Sequence, residues 1–125
     1  MRSLLFVPAD SPKKLDKGMT SGADALIVDL EDSIAPEGKA RARQSAAAFL
    51  KEASTVAARP YLVVRVNSLQ TGLTDADLDA VAPARPDAIM LPKAEGGASV
   101  VHADAKLAVR EAESGLPDEI GRAHV

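Results

Sequence analysis

The chain alternates short, nearly continuous apolar runs with longer, alanine-rich amphipathic segments. The four apolar runs occupy residues 3–7, 23–30, 61–66 and 88–91. Continuous rather than alternating hydrophobicity is typical of strands that are buried on both faces of a parallel sheet. Strands that alternate with helices pair in parallel through right-handed crossovers. The pattern therefore predicts an α/β fold made of four βα units.

Helix signals lie between and after these runs. Ser11 is placed to cap a first helix, and Pro36 opens a second. Thr74 and Asp77 resemble a capping box that begins a third helix, and a fourth is expected from about residue 97 to Gly115. The apolar stripe of the second helix is predicted to consist of Ala42, Ala46, Phe49, Leu50 and Ala53.

Two architectures accommodate four βα units: a doubly wound open sheet, or part of a (β/α)8 barrel. The chain has 125 residues, whereas a complete barrel takes roughly 250. We predict a truncated TIM (β/α)8 barrel that consists of the first four βα units. Residues 1–118 would then form the N-terminal half of the barrel.

The last seven residues, 119–125, fit none of the predicted elements. They can be encoded by GAG ATC GGA AGA GCA CAC GTC, a string that resembles the start of a sequencing-adapter oligonucleotide read in frame. We therefore predict a non-native, adapter-derived tail, and we leave Arg122 and His124 out of the site.

Composition excludes several classes of function. The formal net charge is −3, with one Tyr, two Phe and no Trp, which disfavours a nucleic-acid binder. No apolar run approaches the ~20 residues that cross a bilayer, so we expect a cytoplasmic protein. With no cysteine, disulfides, thiolate metal sites and a cysteine nucleophile are excluded.

The charged residues that follow the strands are the candidates for a functional site, because function in parallel α/β folds gathers at the carboxyl ends of strands. Both signs of charge occur there, which suits an anionic ligand together with a divalent cation. The charged and polar candidates are Asp10, Lys13, Lys14, Lys17, Asp29, Glu31, Asp32, Arg65, Asn67, Lys93 and Glu95, and Phe6 lies at the end of the first apolar run.

Arg65 is the most informative of them, because it interrupts the apolar run VVRVN. A half-buried guanidinium is costly unless it is paired. It either pairs with Asp29 or Glu31, or forms a fixed fork for a carboxylate, carbonyl or enolate oxygen, and both can hold at once. The acidic cluster DLED is open to two interpretations: direct contact with Mg²⁺, or carboxylates that orient Arg65 and Lys93 and cap the next helix.

Four motifs in order, RSLLFVPAD, GADALIVDLEDSIAP, VVRVN and DAIMLPKAE, resemble the citrate lyase β-subunit-like family. This family includes malyl-CoA lyases and is akin to the 2-oxo-acid aldolases; the resemblance spans residues 2–114. It implies a (β/α)8 barrel that cleaves a carbon–carbon bond of a 3-hydroxyacyl-CoA thioester, such as citryl-CoA or malyl-CoA, with Mg²⁺. It also implies a homo-oligomer in the full-length form.

The resemblance implies roles for particular residues. Arg65 matches the arginine that holds the carbonyl or enolate oxygen, and Phe6 and Lys17 match positions near the substrate acid and the CoA moiety. The acidic loop beside the metal's water shell is matched by Asp29, Glu31 and Asp32. Ser11 stands where the family often carries an arginine.

In this family the direct metal ligands and the proton donor come from later strands, beyond the end of this chain. The fragment itself is therefore expected to be inactive. The competing hypotheses are a complete open α/β phosphoacceptor or binding domain, and a non-catalytic module for subunit association.

Overall fold

The computed structural model describes residues 3–92 and, by backbone alone, 121–124. The strands are β1 (Leu4–Pro8), β2 (Ala25–Asp29), β3 (Tyr61–Arg65), β4 (Ala88–Leu91) and β5 (Gly121–His124). The helices are α1 (Pro12–Met19), α2 (Lys39–Ala53) and α3 (Thr74–Val81). Short 3₁₀ turns occupy Pro36–Gly38, Leu69–Thr71 and Ala82–Ala84.

All five strands form one parallel sheet, in which their spatial order follows their order in the chain. The four predicted strands and the α/β class are thereby confirmed. In a doubly wound sheet the strand order reverses at a switch point. The uninterrupted order therefore favours a barrel segment over an open doubly wound sheet.

The described helices pack on one face of the sheet. Strand residues such as Val28, Val64 and Ile89 share the main core cluster with helix residues such as Leu15 and Leu50. Because side chains alternate along a strand, the residues between them point to the other face, where Ile27, Val63 and Ala88 form a smaller cluster. Asp29 and Arg65 have the same parity and lie on that second face, away from the helices.

Two local predictions about the helices are confirmed. The Oγ of Ser11 accepts a hydrogen bond from the N–H of Lys14 at 3.4 Å, so it caps α1. The predicted apolar stripe of α2 is buried over its whole length, with members Ala42, Ala46, Phe49, Leu50 and Ala53. None of the described helices is long and apolar enough to cross a membrane.

The capping-box prediction at α3 is wrong. Thr74 is already the first helical residue, and its hydroxyl donates to the carbonyl of Asn67 at 2.9 Å. The carboxylate of Asp77 accepts from Asn67 rather than reaching back to the cap. The side chains of Thr74 and Asp77, which a capping box would use, therefore both form hydrogen bonds with Asn67 in the loop after β3. In α2, Pro36 opens a 3₁₀ turn, and the α-helix itself begins at Lys39.

One edge of the sheet also differs from expectation. Residues 121–124 of the supposed structureless tail form β5, which pairs in parallel with β4. Ladder hydrogen bonds use backbone groups, so an open strand edge is a template for pairing with another extended segment. Among the described strands, β1 lies at the edge of the sheet beside β2. Its residues Leu4, Leu5 and Phe6 are exposed, as we expect for the first strand of half a barrel. The predicted fourth helix and Lys93 lie outside the described residues.

Gly18 lets α1 approach β2 closely. A Cβ at this position would lie 2.6 Å from Cδ1 of Leu26, a fully buried side chain that would have to shift within the core. We expect Gly18→Ala to lower the free energy of unfolding by about 1–3 kcal/mol, the usual cost of overpacking, measured by urea denaturation. Gly38→Ala is the matched control, because its Cβ would make only an ordinary 3.6 Å contact with Ile34. Equal stability of both variants would contradict the prediction.

Candidate active site

Arg65 and Asp29 form the centre of the candidate site. Each is the last residue of its strand, and the strand register places them side by side. Nε of Arg65 donates to Oδ1 of Asp29 at 2.9 Å, and Nη2 donates to Oδ2 at 2.8 Å. A bidentate pair of this kind fixes the plane of the guanidinium as well as its position. The structure thus brings together two residues that the sequence singled out.

Asp29 is held by more than Arg65. Its carboxylate also accepts from the N–H of Glu31 at 2.8 Å, and from the N–H and hydroxyl of Ser33 at 3.0 and 2.7 Å. Only 2% of the residue is exposed. Burial acts to raise the pKa of Asp29, but the hydrogen bonds from Arg65, Glu31 and Ser33 outweigh it and lower the pKa to about 2.

The guanidinium of Arg65 has further neighbours on the same face. Oε1 of Glu31 lies 3.5 Å from Nε, and Oδ2 of Asp32 lies 4.0 Å from Nη2. The ring of Phe6 lies beneath it, with its centroid 4.8 Å from the Cζ atom, which is a cation–π contact. Because 18% of the Arg65 side chain stays exposed, a ligand approaching the strand ends can reach it.

Lys39, the first residue of α2, contacts the loops that carry the site residues. We did not predict a role for it from the sequence. Its Nζ donates to the carbonyls of Leu30 and Glu31 at 2.9 and 2.7 Å, and to Oδ1 of Asn67 at 2.8 Å. One ammonium group therefore joins the loop after β2 to the loop after β3.

Asn67 belongs to a second buried network. Its N–H and its Nδ2 both donate to Oδ2 of Asp77 at 2.7 Å. Nε of Arg43 donates to the other oxygen of Asp77, also at 2.7 Å. Lys39 and Arg43 are four residues apart on α2, and this spacing puts them on one helix face. That spacing was the available sequence signal for the network.

The structure places the three lysines of α1 on the surface of the helix. Lys17 is exposed in the last turn of the helix, and α1 begins at the strand-end side of the sheet. At 1.5 Å per residue, Lys17 lies about 8 Å along the axis from the start of the helix. Lys13 and Lys14 are exposed in the first turn.

The described residues do not form a complete metal site. Within residues 3–92, no group of three or more His, Cys, Asp or Glu side chains is arranged to hold an ion. Both carboxylate oxygens of Asp29, the most buried acid of the cluster, accept hydrogen bonds from within the protein.

The low pKa of Asp29 predicts a specific acid sensitivity. Since the pKa rises from about 2 in the folded state to 3.8 in an ordinary aspartate, the charged form stabilises the fold above about pH 4. That contribution, about 2 kcal/mol by linkage, is lost as the pH falls through about 2. Unfolding free energies from urea titrations between pH 2 and 6 should converge for wild type and Asp29→Asn at the acid end. Parallel curves would contradict the assignment.

Fold and site together define a parallel α/β protein that holds a fixed guanidinium and an acidic loop at the carboxyl ends of its strands. The sequence model of the family described as HpcH/HpaI aldolase/citrate lyase matches residues 2–123. The chain belongs to this family, and the resemblance predicted from its motifs is confirmed.

Named relatives and a solved structure agree with this membership. A (3S)-malyl-CoA thioesterase of Cereibacter sphaeroides is 37% identical over 99 residues, which cover 79% of this chain and 34% of that protein. An L-malyl-CoA/β-methylmalyl-CoA lyase of the same species is 37% identical over 117 residues, which cover 91% and 36%. A citrate lyase β subunit from Mycobacterium tuberculosis, complexed with oxaloacetate and magnesium, superposes with a TM-score of 0.68 at 32% identity, covering 97% of this chain and 56% of the other.

The chain spans about a third of the length of the curated relatives that it matches, 34% of the thioesterase and 36% of the lyase.

Proposed function

We propose that this chain is the N-terminal part of a Mg²⁺-dependent carbon–carbon lyase that cleaves a 3-hydroxyacyl-CoA thioester such as citryl-CoA or malyl-CoA. The main observation behind this proposal is that Asp29 fixes the guanidinium of Arg65 at the strand ends and that the guanidinium is still partly exposed. The names of the malyl-CoA lyase and of the magnesium-bound citrate lyase subunit support the same reaction class.

In this proposal Arg65 acts on charge that develops during bond cleavage. A base, which we place with the proton donor on later strands, takes the proton of the substrate's hydroxyl, and the hydroxyl carbon becomes a carbonyl. The electrons of the breaking carbon–carbon bond move into the thioester and form an enolate, whose carbon is then protonated. Arg65 donates hydrogen bonds to the enolate oxygen. Because Asp29 and the ring of Phe6 already hold the guanidinium, little reorganisation is needed as the charge appears.

The remaining assignments are proposals of the same kind. Lys17 is exposed and suits the phosphates of CoA, and Asp29, Glu31 and Asp32 form an acidic loop near the metal's water shell. When bound, Mg²⁺ supplies Lewis-acid polarisation of the 2-oxo-acid fragment. The described residues do not form its ligand set. Following the family resemblance, we propose that the direct ligands come from later strands, beyond the end of this chain.

Hydrolysis is the second candidate reaction, because one relative is named a malyl-CoA thioesterase. The two reactions release different products from malyl-CoA: cleavage gives glyoxylate and acetyl-CoA, whereas hydrolysis gives malate and free CoA thiol. We therefore propose to assay the protein encoded by the complete reading frame for glyoxylate and for thiol, with and without EDTA. Glyoxylate that appears only with Mg²⁺ supports the lyase; thiol without glyoxylate contradicts it.

We further propose that the 125-residue chain alone is inactive, as half of a (β/α)8 barrel. Turnover by this purified chain would contradict the proposal. A phosphoacceptor domain is disfavoured, because both oxygens of Asp29 are bonded to Arg65 and to the following loop. The adapter origin of residues 119–125 and homo-oligomer formation by the full-length protein stay proposals, tested by resequencing the locus and by sedimentation.

A further inference from the structure

A single peptide unit lies between Lys39 and the Asp29–Arg65 pair. The carbonyl of Leu30 accepts from Nζ of Lys39 at 2.9 Å, and the N–H of the same peptide unit, which belongs to Glu31, donates to Oδ1 of Asp29 at 2.8 Å. The described peptide bonds are all trans, so the two groups point in opposite directions. Lys39 and Asp29 therefore lie at opposite ends of one peptide dipole.

The same oxygen of Asp29 accepts from Nε of Arg65 at 2.9 Å. The contacts thus run without a gap from the ammonium of Lys39, through the peptide unit, to the carboxylate and then to the guanidinium. A cation on the carbonyl polarises the peptide and strengthens its N–H as a donor, because hydrogen bonds in a chain reinforce one another.

The surroundings of Lys39 distinguish it from a solvated surface lysine. An ammonium group has three donors, and here they meet three acceptors at 2.7–2.9 Å: the carbonyls of Leu30 and Glu31 and Oδ1 of Asn67. Asn67 is itself fixed by two hydrogen bonds to Asp77. Both loops that carry site residues are therefore anchored on one side chain.

We propose that Lys39 is a positioning residue that sets the orientation of Arg65 through the Leu30–Glu31 peptide unit. The catalytic value of this arrangement rests on the proposed function of Arg65. The coupling between Lys39 and Arg65 does not depend on that function, because it can be measured in the 125-residue chain without substrate.

The absence of cysteine from the sequence permits a site-specific removal and restoration of the ammonium group. In Lys39→Cys, alkylation with 2-bromoethylamine in denaturant, followed by refolding, rebuilds a side chain of lysine's length with a terminal amine. The readout is solvent exchange of the Nε–H of Arg65, followed by ¹⁵N NMR. Lys51→Cys, on the exposed end of the same helix, is treated in the same way as the control.

We expect Lys39→Cys to speed this exchange about tenfold, the equivalent of one weakened hydrogen bond, and alkylation to restore the wild-type rate. Lys51→Cys should show the wild-type rate before and after alkylation. Unchanged exchange in folded Lys39→Cys would overturn the proposal, and so would faster exchange that alkylation does not reverse. Lys39→Met is the second variant; if it and Lys39→Cys both fail to fold, the role of Lys39 is structural and the proposal is wrong.

Turnover measurements test whether the coupling between Lys39 and Arg65 matters for catalysis. In the protein encoded by the complete reading frame, Lys39→Met should lower kcat about tenfold or more, as loss of a supporting contact commonly does, with KM unchanged. An unchanged kcat would overturn the catalytic purpose of the coupling. If the wild-type protein has no lyase activity, the proposed function fails, whereas the exchange measurement still decides the inference about Lys39.

Discussion

Arg65→Ala should lower the kcat of the lyase reaction that we propose, assayed in the protein encoded by the complete reading frame, by about 10²–10³-fold, the usual loss when one donor to a developing oxyanion is removed. Steady-state rates of glyoxylate release from malyl-CoA measure this effect. Arg65→Lys should fall between wild type and Arg65→Ala, because lysine keeps the charge but lacks the planar fork that matches Asp29.

Arg59 offers a matched control at the other end of the sheet. It precedes β3, and its Nη1 and Nη2 form a bidentate pair with Asp87 at 2.6 and 3.2 Å, just as Arg65 does with Asp29. The two arginine side chains are similarly exposed, 22% and 18%. Arg59→Ala should therefore remove a similar ion pair and leave turnover unchanged. Equal losses of turnover in both variants, or none in Arg65→Ala, would contradict a catalytic role.

The elements that the sequence predicted are those whose signal is local. The stripe of α2 is visible because helical periodicity places Ala46, Phe49 and Leu50 on one face, and that face is buried. Arg65 is visible because a charge inside an apolar run demands a partner, and Asp29 occupies the paired position in the neighbouring strand. The apolar stripe and the charge inside an apolar run are each visible in a few consecutive residues, although Asp29 itself lies 36 residues before Arg65.

The features that the sequence missed depend on distant partners. The acceptors of Lys39 are two backbone carbonyls and an asparagine 28 residues away, and neither carbonyl leaves a trace in the residue pattern. Thr74 and Asp77 have the spacing of a capping box, but both side chains form hydrogen bonds with Asn67 from the preceding loop. The pairing of β5 with β4 joins backbone groups, and residues 121–124 contain no continuous apolar run that would predict a strand.

Asp77→Ala should produce the largest loss of stability. Asp77 is fully buried and accepts from Arg43 and twice from Asn67. Removing the carboxylate leaves the guanidinium of Arg43 without its acceptor. Nη2 of Arg43 is already buried without a hydrogen-bond partner in the described part of the chain. Breaking a buried ion pair from one side commonly costs about 3–5 kcal/mol, a large share of the ~5–15 kcal/mol that holds a domain folded.

Urea denaturation of Asp77→Ala measures this loss, and Asp79→Ala is the control, because Asp79 lies on the exposed side of the same helix. Asp77→Asn should fall in between, since an amide keeps one acceptor oxygen but loses the charge that faces Arg43. Asp77 also fixes Asn67, one of the three acceptors of Lys39, so Asp77→Asn should speed exchange of the Arg65 Nε–H while the protein stays folded. If Asp77→Ala were no less stable than Asp79→Ala, the buried network would not be what joins α2 and α3 to the strand ends.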